Sequence, residues 1–330
     1  MKRIINCVNR PDSNLYAYKP LFDLGFTLDF HNLNHTQDEH TVIRVVKGYD
    51  YVIAGSELWS RKVFETVKDS LKMLVRHGIG MDSVDLQAAA DNNIAVSNTP
   101  GANAFAVAEH ALGMLLCLLR NIHNYDTEMK KNIWNILISP SLSGTIGLLG
   151  FGAIGQEFAK ILKPFPVEII AFDVKRDNAA AERIGVEFVS FDELLTRSDF
   201  LSIHAAVTPE TVGIINNDTI MKMKNGAFII NTSRGSLIDE EALCAAIREK
   251  RVAGAALDVF AAEPLQKESP LFKLDNVVLT PHAASSSEGG IKSMVEMCVS
   301  NIHDFYLQRP FKGLIIPKIK DKEVENERNH

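Results

Sequence analysis

Three polar side chains fall just after apolar runs that read as strands: Arg234 in Asn231-Thr232-Ser233-Arg234-Gly235, Glu263 in Asp258-Val259-Phe260-Ala261-Ala262-Glu263-Pro264, and His282 in Thr280-Pro281-His282. Open α/β sheets gather their ligands at the C-terminal ends of strands. An imidazole near neutral pH can take a hydroxyl proton or return it, which is what hydride exchange at an alcohol carbon requires of a protein. A carboxylate such as Glu263 beside the ring would fix its orientation and favour the imidazolium. The Arg234 guanidinium can pair bidentately with a substrate carboxylate while polarising a neighbouring carbonyl.

Upstream lies a glycine turn. The apolar run 145–149 leads directly into Gly150-Phe151-Gly152-Ala153-Ile154-Gly155, a helix follows with Ile154, Phe158, Ile161 and Leu162 on one face, and the next strand ends at Asp173, 18 residues beyond Gly155. The glycine spacing alone says little, but strand, turn, helix and acid in this order specify a dinucleotide site. Gly150 would allow the tight turn, Gly152 the approach of a diphosphate and Gly155 the contact of helix with strand, while the helix opening at Ala153 and Ile154 offers N–H donors and a partial positive charge. Asp173 would accept hydrogen bonds from the adenosine ribose and repel a 2′-phosphate, which favours NAD over NADP. Lys175 and Arg176 are near enough in sequence to reach a 2′-phosphate instead.

These residues need a scaffold, and the chain supplies one in two α/β series. In the first, 3–8, 50–54, 72–76 and 94–97 read as strands of a parallel sheet. Thr99-Pro100-Gly101 breaks the pattern, and Asn103 can cap a helix to about Asn121 whose apolar residues cover almost every side, so it should be buried in a core or between subunits. The second series places strands near 145–149, 167–173, 186–189, 200–204, 227–231, 254–258 and 276–280, a doubly wound sheet. Ile291, Met294, Val295, Met297, Cys298, Ile302 and Phe305 then follow helical spacing, and this helix could return to the first series. The mostly charged tail 318–330 should fray.

At 330 residues with 46% apolar content, two domains can each build a core. With 35 basic against 41 acidic residues the net charge is −6, a poor match to nucleic acid or an anionic membrane. Cys7, Cys117, Cys244 and Cys298 are far apart with no CxxC or Cys/His cluster, which predicts reduced thiols and no metal site. Asn6, Asn9 and Arg10 interrupt the apolar start, so no signal peptide is expected and a cytoplasmic location is. The charge-free run 132–156 is long enough to span a bilayer, yet its Pro140, serines, asparagines and five glycines make it a loop followed by a buried strand and turn.

Assembled in this order, the residues resemble the D-isomer-specific 2-hydroxyacid dehydrogenase family, and its phosphoglycerate dehydrogenase-like branch most, over 50–316. The carriers are Arg76-His77-Gly78-Ile79-Gly80-Met81-Asp82-Ser83-Val84-Asp85, Asn98-Thr99-Pro100-Gly101, Val107-Ala108-Glu109, the glycine turn, 204–211, the Arg234 motif, Leu257-Asp258-Val259-Phe260 with Glu263-Pro264, and Pro281-His282. The resemblance implies that Arg234, Glu263 and His282 are the catalytic arginine, acid and acid/base histidine. It implies that the backbone N–H groups of His77, Gly78 and Ile79 hold the substrate carboxylate and that Asp258 fixes the nicotinamide carboxamide. His204, Ala205, Ala206, Thr211, Thr232, Ser233 and Ala284 match positions along the cofactor cleft.

The implied fold is a Rossmann-type nucleotide domain, 99–285, inserted in a smaller flavodoxin-like substrate domain of 1–98 and 286–330, usually in a homodimer built on the nucleotide domain. The implied activity is NAD-dependent hydride transfer at C2 of a small D-2-hydroxy acid or its 2-oxo partner, 3-phosphoglycerate among them. A glyoxylate/hydroxypyruvate-type reductase and an NAD(H)-sensing corepressor or scaffold are the alternatives; formate dehydrogenase, of related fold, carries a glutamine where this chain has Glu263. Four departures stand out. Ser83 replaces an asparagine, Ala284 a glycine, and Ser143-Gly144-Thr145 lacks the usual lysine. Ala54-Gly55-Ser56-Glu57 lacks the arginine that phosphoglycerate enzymes commonly carry there, leaving Arg61, Lys62 or Arg76 as substitutes. Ile53, Ala54 and Trp59 suggest a substrate of limited polarity. The chain ends soon after its last helix, so a serine-regulated C-terminal domain is not expected.

Overall fold

A computed structural model describes residues 2–8, 15–34 and 36–315. The expected frayed tail, 318–330, lies outside them. The chain divides into two units, one running to Asn103 and resuming at Glu288, the other Ala104–Ser287.

The first unit is a five-stranded parallel sheet of β1 (Lys2–Asn6), β2 (Phe26–Phe30), β3 (Tyr51–Ala54), β4 (Met73–Arg76) and β5 (Ala95–Ser97), in the order β2-β1-β3-β4-β5 of flavodoxin-like sheets. Alternation with period two sorts its side chains onto two faces. Ile5, Val52, Ala54, Leu74 and Val96 meet Val42, Val46, Val63, Phe64 and Val67 of the helices Glu39–Val46 and Arg61–Val67. Ile4, Tyr51, Ile53, Met73, Val75 and Ala95 meet Val295, Cys298, Val299 and Ile302 of the helix Glu288–Tyr306. Sheets covered on both faces have strands that read as continuous apolar runs, which is why β3 and β4 are legible in sequence. Edge strand β2 was not: Thr27 and Asp29 break its apolar run and only Phe26 is buried.

The second unit holds β6 (Gly144–Leu149), β7 (Val167–Phe172), β8 (Glu187–Phe188), β9 (Phe200–Ile203), β10 (Ala227–Asn231), β11 (Val252–Leu257) and β12 (Val277–Leu279), all parallel, in the order β12-β11-β10-β9-β6-β7-β8. The seven expected strands are all present, each boundary within two residues. Strand β6 lies between β7 and β9, so the chain reverses direction across the sheet at the end of β6, the position at which open α/β sheets take their ligands. The helix Ala104–Leu119 lays Ala108, Ala111 and Leu115 against Ile146, Leu148, Ile230 and Ala256 of the sheet. It is apolar all round in sequence but not buried all round, since Phe105 is exposed. Among the described residues no single helix is long and apolar enough to cross a membrane; Ala104–Leu119 with Ile122–Lys130 passes by length and composition only as a pair bent by 62°.

Candidate active site

Because the second sheet is parallel, the residues that follow β6, β9, β10, β11 and β12 share one edge. Gly150, with φ +100°, has its N–H on Phe172 O at 2.9 Å, and a Cβ there would lie 2.7 Å from the backbone of His204 and Ala205. A Cβ on Gly155 would lie 2.4 Å from Gly150 O, whereas one on Gly152 would meet nothing within 4 Å. The turn is therefore closed by Gly150 and Gly155 and open at Gly152. The first helical bond runs from Gln156 N to Gly152 O at 2.9 Å, so the N–H groups of Ala153, Ile154 and Gly155 precede it and are the donors this helix start could offer an anion. Gly155→Ala should cost about 1–3 kcal/mol by overpacking against Gly150 O. Thermal unfolding checks this; an unchanged Tm would contradict it.

Asp173 stands one residue past β7. Its Oδ2 accepts from Phe151 N–H at 2.7 Å and its Oδ1 from Lys175 N–H at 2.8 Å, so it braces the turn while each oxygen keeps a further lone pair for a ribose hydroxyl. Arg176 is laid over the Phe188 ring at 5.5 Å, with Nη2 3.5 Å from Val189 O. The His204 ring turns inward, with Nε2 2.9 Å from Ser202 Oγ and its centroid 5.2 Å from that of Phe158. Burial pushes its pKa down to about 4, which keeps it neutral. What His204 and Ala205 offer a ligand at this edge is backbone.

Thr211 Oγ1 donates to Ala206 O at 2.8 Å and closes that loop, and Ser233 Oγ donates to Ala205 O at 2.6 Å. Thr232 Oγ1 is buried with no hydrogen-bond partner among the described residues. An orphaned hydroxyl, an open glycine and a row of helix N–H groups fit a dinucleotide.

The chemical residues are positioned by their neighbours. Asn231, fully buried at the end of β10, accepts from Ser233 N–H at 3.0 Å and donates to Arg234 O at 2.9 Å, fixing the bend that presents Arg234. A Cβ on Gly235 would sit 1.9 Å from Phe260 C, so only glycine lets this bend touch the segment leading to Glu263. Glu263 Oε1 accepts from Phe260 N–H at 3.1 Å and Oε2 lies 2.7 Å from His282 Nδ1. Burial pushes the Glu263 carboxyl up, but the bonds from His282 and Phe260 N–H, with the Arg234 charge, outweigh it and hold the group below its usual range. An ionised Glu263 requires the proton on Nδ1, which leaves Nε2 for chemistry.

His282 has φ +51°, a left-handed conformation that costs about 1–2 kcal/mol. Asp258 holds it there. The Asp258 backbone O accepts from His282 N–H at 2.8 Å, Oδ1 accepts from Thr280 Oγ1 at 2.6 Å and Ala283 N–H at 2.8 Å, and Oδ2 accepts from Ala284 N–H at 2.9 Å. The Asp258 side chain has no exposed surface. Asp258 thus grips the His282 turn, and Ala284 contributes a backbone donor to it. Sequence reasoning quoted Thr280 and Asn231 within their motifs without a role of their own and passed over His110, whose Nε2 is 3.1 Å from Thr280 Oγ1. Single polar residues in apolar runs carry no spacing signal.

In the first unit, two of the three amides expected to hold the substrate carboxylate, those of the loop after β4, have protein partners. His77 N–H is bonded to Ala54 O at 2.9 Å and Gly78 N–H to Thr99 Oγ1 at 2.9 Å. Both bonds shape the loop, and Ile79, whose carbonyl accepts from Asn98 Nδ2 at 2.9 Å, is the one of the three whose N–H makes no such bond among the described residues. Arg76 Nη1 donates to His77 O, which folds the guanidinium over Gly78. Glu57 is fully buried with Oε1 3.0 Å from Trp59 Nε1; burial pushes its carboxyl up while the Arg76 charge pulls it down. Arg61 pairs with Asp91 at 2.8 Å and Lys62 with Glu39 at 3.5 Å.

Residues 112–284 match the family model described as D-isomer specific 2-hydroxyacid dehydrogenase, NAD binding domain. The chain is 36% identical over 289 residues to a D-3-phosphoglycerate dehydrogenase of Archaeoglobus fulgidus, covering 86% of this chain and 55% of that one. It is 40% identical over 263 residues to a glyoxylate reductase of Thermofilum pendens, covering 77% and 76%. The apo-structure of D-lactate dehydrogenase from Escherichia coli is similar with a TM-score of 0.84 at 29% identity, covering 96% of this chain and 100% of that one. The chain spans about half the length of the curated phosphoglycerate dehydrogenases it matches.

Proposed function

The chain belongs to the D-isomer-specific 2-hydroxyacid dehydrogenase family, and from that premise we propose that it reduces small unphosphorylated 2-oxo acids, of the glyoxylate and hydroxypyruvate class, with NADH. The observation that carries the reaction is the 2.7 Å contact between His282 Nδ1 and Glu263 Oε2 on the same sheet edge as the glycine turn. Bound NADH would supply the hydride for C2. His282 gives the Nε2 proton to the oxygen that becomes the hydroxyl, and Glu263 stabilises the imidazolium that precedes this transfer. Arg234 clamps the carboxylate and polarises the C2 carbonyl.

Charge matching supports the unphosphorylated substrate. Each of the three cations that could read a phosphate is already engaged: Arg61 has Asp91 at 2.8 Å, Lys62 has Glu39 at 3.5 Å, and Arg76 Nη1 donates to His77 O. A dianionic phosphate would have to draw one of these cations away from its present partner. The test is kcat/KM for glyoxylate, hydroxypyruvate and 3-phosphohydroxypyruvate with NADH. We expect the phosphorylated acid to be poorer by about tenfold or more, and NADPH to be poorer than NADH because Asp173 is anionic. A preference for 3-phosphohydroxypyruvate would instead make the chain a phosphoglycerate dehydrogenase, as its Archaeoglobus relative is named.

The nucleotide unit also carries an apolar ridge. Tyr125 Oη bonds Leu137 N–H at 2.9 Å and Leu137 O at 2.8 Å, and this holds Ile133, Trp134, Ile136 and Ile138 in solvent, with Trp134 81% exposed. So much contiguous apolar surface marks an interface, and the occupant we propose is a second copy of the chain, giving a homodimer through this unit. Trp134→Glu with Ile138→Glu should shift the sedimentation coefficient to the monomer value. An unchanged dimer would remove this ridge from the interface.

A further inference from the structure

We infer that His110 is a positioning residue for His282, acting through Thr280 and Asp258. The inference rests on the reading of His282 as the acid/base group. Its starting point is a proton count. A threonine hydroxyl carries one proton, and Thr280 Oγ1, 2.6 Å from Asp258 Oδ1, gives it to that carboxylate. Toward His110 Nε2, 3.1 Å away, the Thr280 oxygen can only accept. His110 must therefore carry its proton on Nε2, which also lies 3.6 Å from Asp258 Oδ1.

The geometry gives this bond a consequence. Met114, one turn along the same helix, places Sδ 3.5 Å from Thr280 Oγ1, a weak alternative acceptor for the hydroxyl proton. With His110 donating from the other side, the hydroxyl stays aimed at Asp258. Asp258 in turn holds the N–H groups of His282, Ala283 and Ala284, so the chain of bonds runs from helix Ala104–Leu119 to the residue whose ring meets Glu263. Burial of Ala108 and Ala111 on either side of His110 keeps its backbone fixed on the sheet. Losing the Nε2 donor frees the Thr280 hydroxyl to turn, loosens the His282 turn and misaligns the proton donor, while the nucleotide turn at Gly150 is untouched.

His110→Ala and His110→Gln, assayed as complete enzyme with NADH, test this. His110→Ala should lower kcat by about 10- to 100-fold, as misplacement of a reacting group by about 1 Å does, with KM for NADH within about threefold of wild type. His110→Gln, which restores an N–H donor at similar reach, should recover most of the loss. A kcat within about twofold of wild type in His110→Ala, equal loss in the two variants, or a loss confined to KM for NADH would overturn the inference. Side-chain ¹⁵N NMR of the NADH-bound wild type gives a reading that needs no turnover: an Nε2-protonated His110 supports the inference and an Nδ1-protonated one overturns it. If no 2-oxo acid is turned over, the proposed function fails, and the NMR result still decides the tautomer on which this inference stands.

Discussion

His282→Asn lowers kcat for 2-oxo acid reduction by about 10²- to 10⁴-fold, the range that a positioned proton donor contributes, and leaves NADH binding near the wild-type value. Asparagine is the informative replacement because His282 sits at φ +51°, a conformation asparagine adopts readily and alanine does not. The variant then lacks the imidazole without straining the turn that Asp258 holds. NADH affinity persists because the glycine turn and Asp173 follow β6 and β7, strands other than those flanking His282. Stopped-flow turnover and NADH titration check the two halves separately, and full turnover with normal NADH binding would remove His282 from the chemistry. The stability profile changes too. Glu263 has a folded-state pKa below its unfolded value, so its stabilising contribution is present above the unfolded pKa and is lost as pH falls through the folded one. Without His282 the depression is smaller, so wild type and variant differ most near neutral pH and converge in acid.

Arg234→Ala loses about 10³-fold in kcat/KM, because one group serves both the carboxylate and the carbonyl whose charge grows in the transition state. The loss appears in KM and in kcat together, unlike that of His282→Asn. Arg234→Lys recovers less than about a tenth of it, since an ammonium cannot present two parallel N–H donors to a carboxylate while polarising a neighbouring oxygen. Folding is preserved: Asn231 holds the bend through the Ser233 and Arg234 backbone atoms, which the substitution leaves in place. Steady-state kinetics beside a thermal melt test this, and a lysine variant with wild-type kcat/KM would show that a point charge suffices.

The parts of the molecule legible in sequence are those where one physical requirement leaves a run of residues. Strands covered on both faces leave apolar runs, and every strand of the second unit was found. The turn at Gly150 leaves a pattern because Gly150 and Gly155 contact backbone and Gly152 faces open space. The order of Arg234, Glu263 and His282 is visible because each follows a strand. Hidden were β2, an edge strand in which Thr27 and Asp29 alternate with Phe26, Leu28 and Phe30 and leave no continuous apolar run, and the bonds that cross between distant segments. His110 and Thr280 are 170 residues apart, and nothing in their immediate neighbours announces that they meet. The loop after β4 shows the converse limit: its residues were recognised, but that the His77 and Gly78 amides are already bonded is a tertiary fact.

The central claim is that hydride goes to C2 to give a D-configured hydroxy acid, with the proton coming from His282. The most direct measurement is reduction of hydroxypyruvate with NADH dideuterated at C4, followed by analysis of the product's label and configuration. The account predicts D-glycerate with deuterium at C2. L-glycerate, glycerate without deuterium at C2, or no glycerate from protein shown to bind NADH would contradict it.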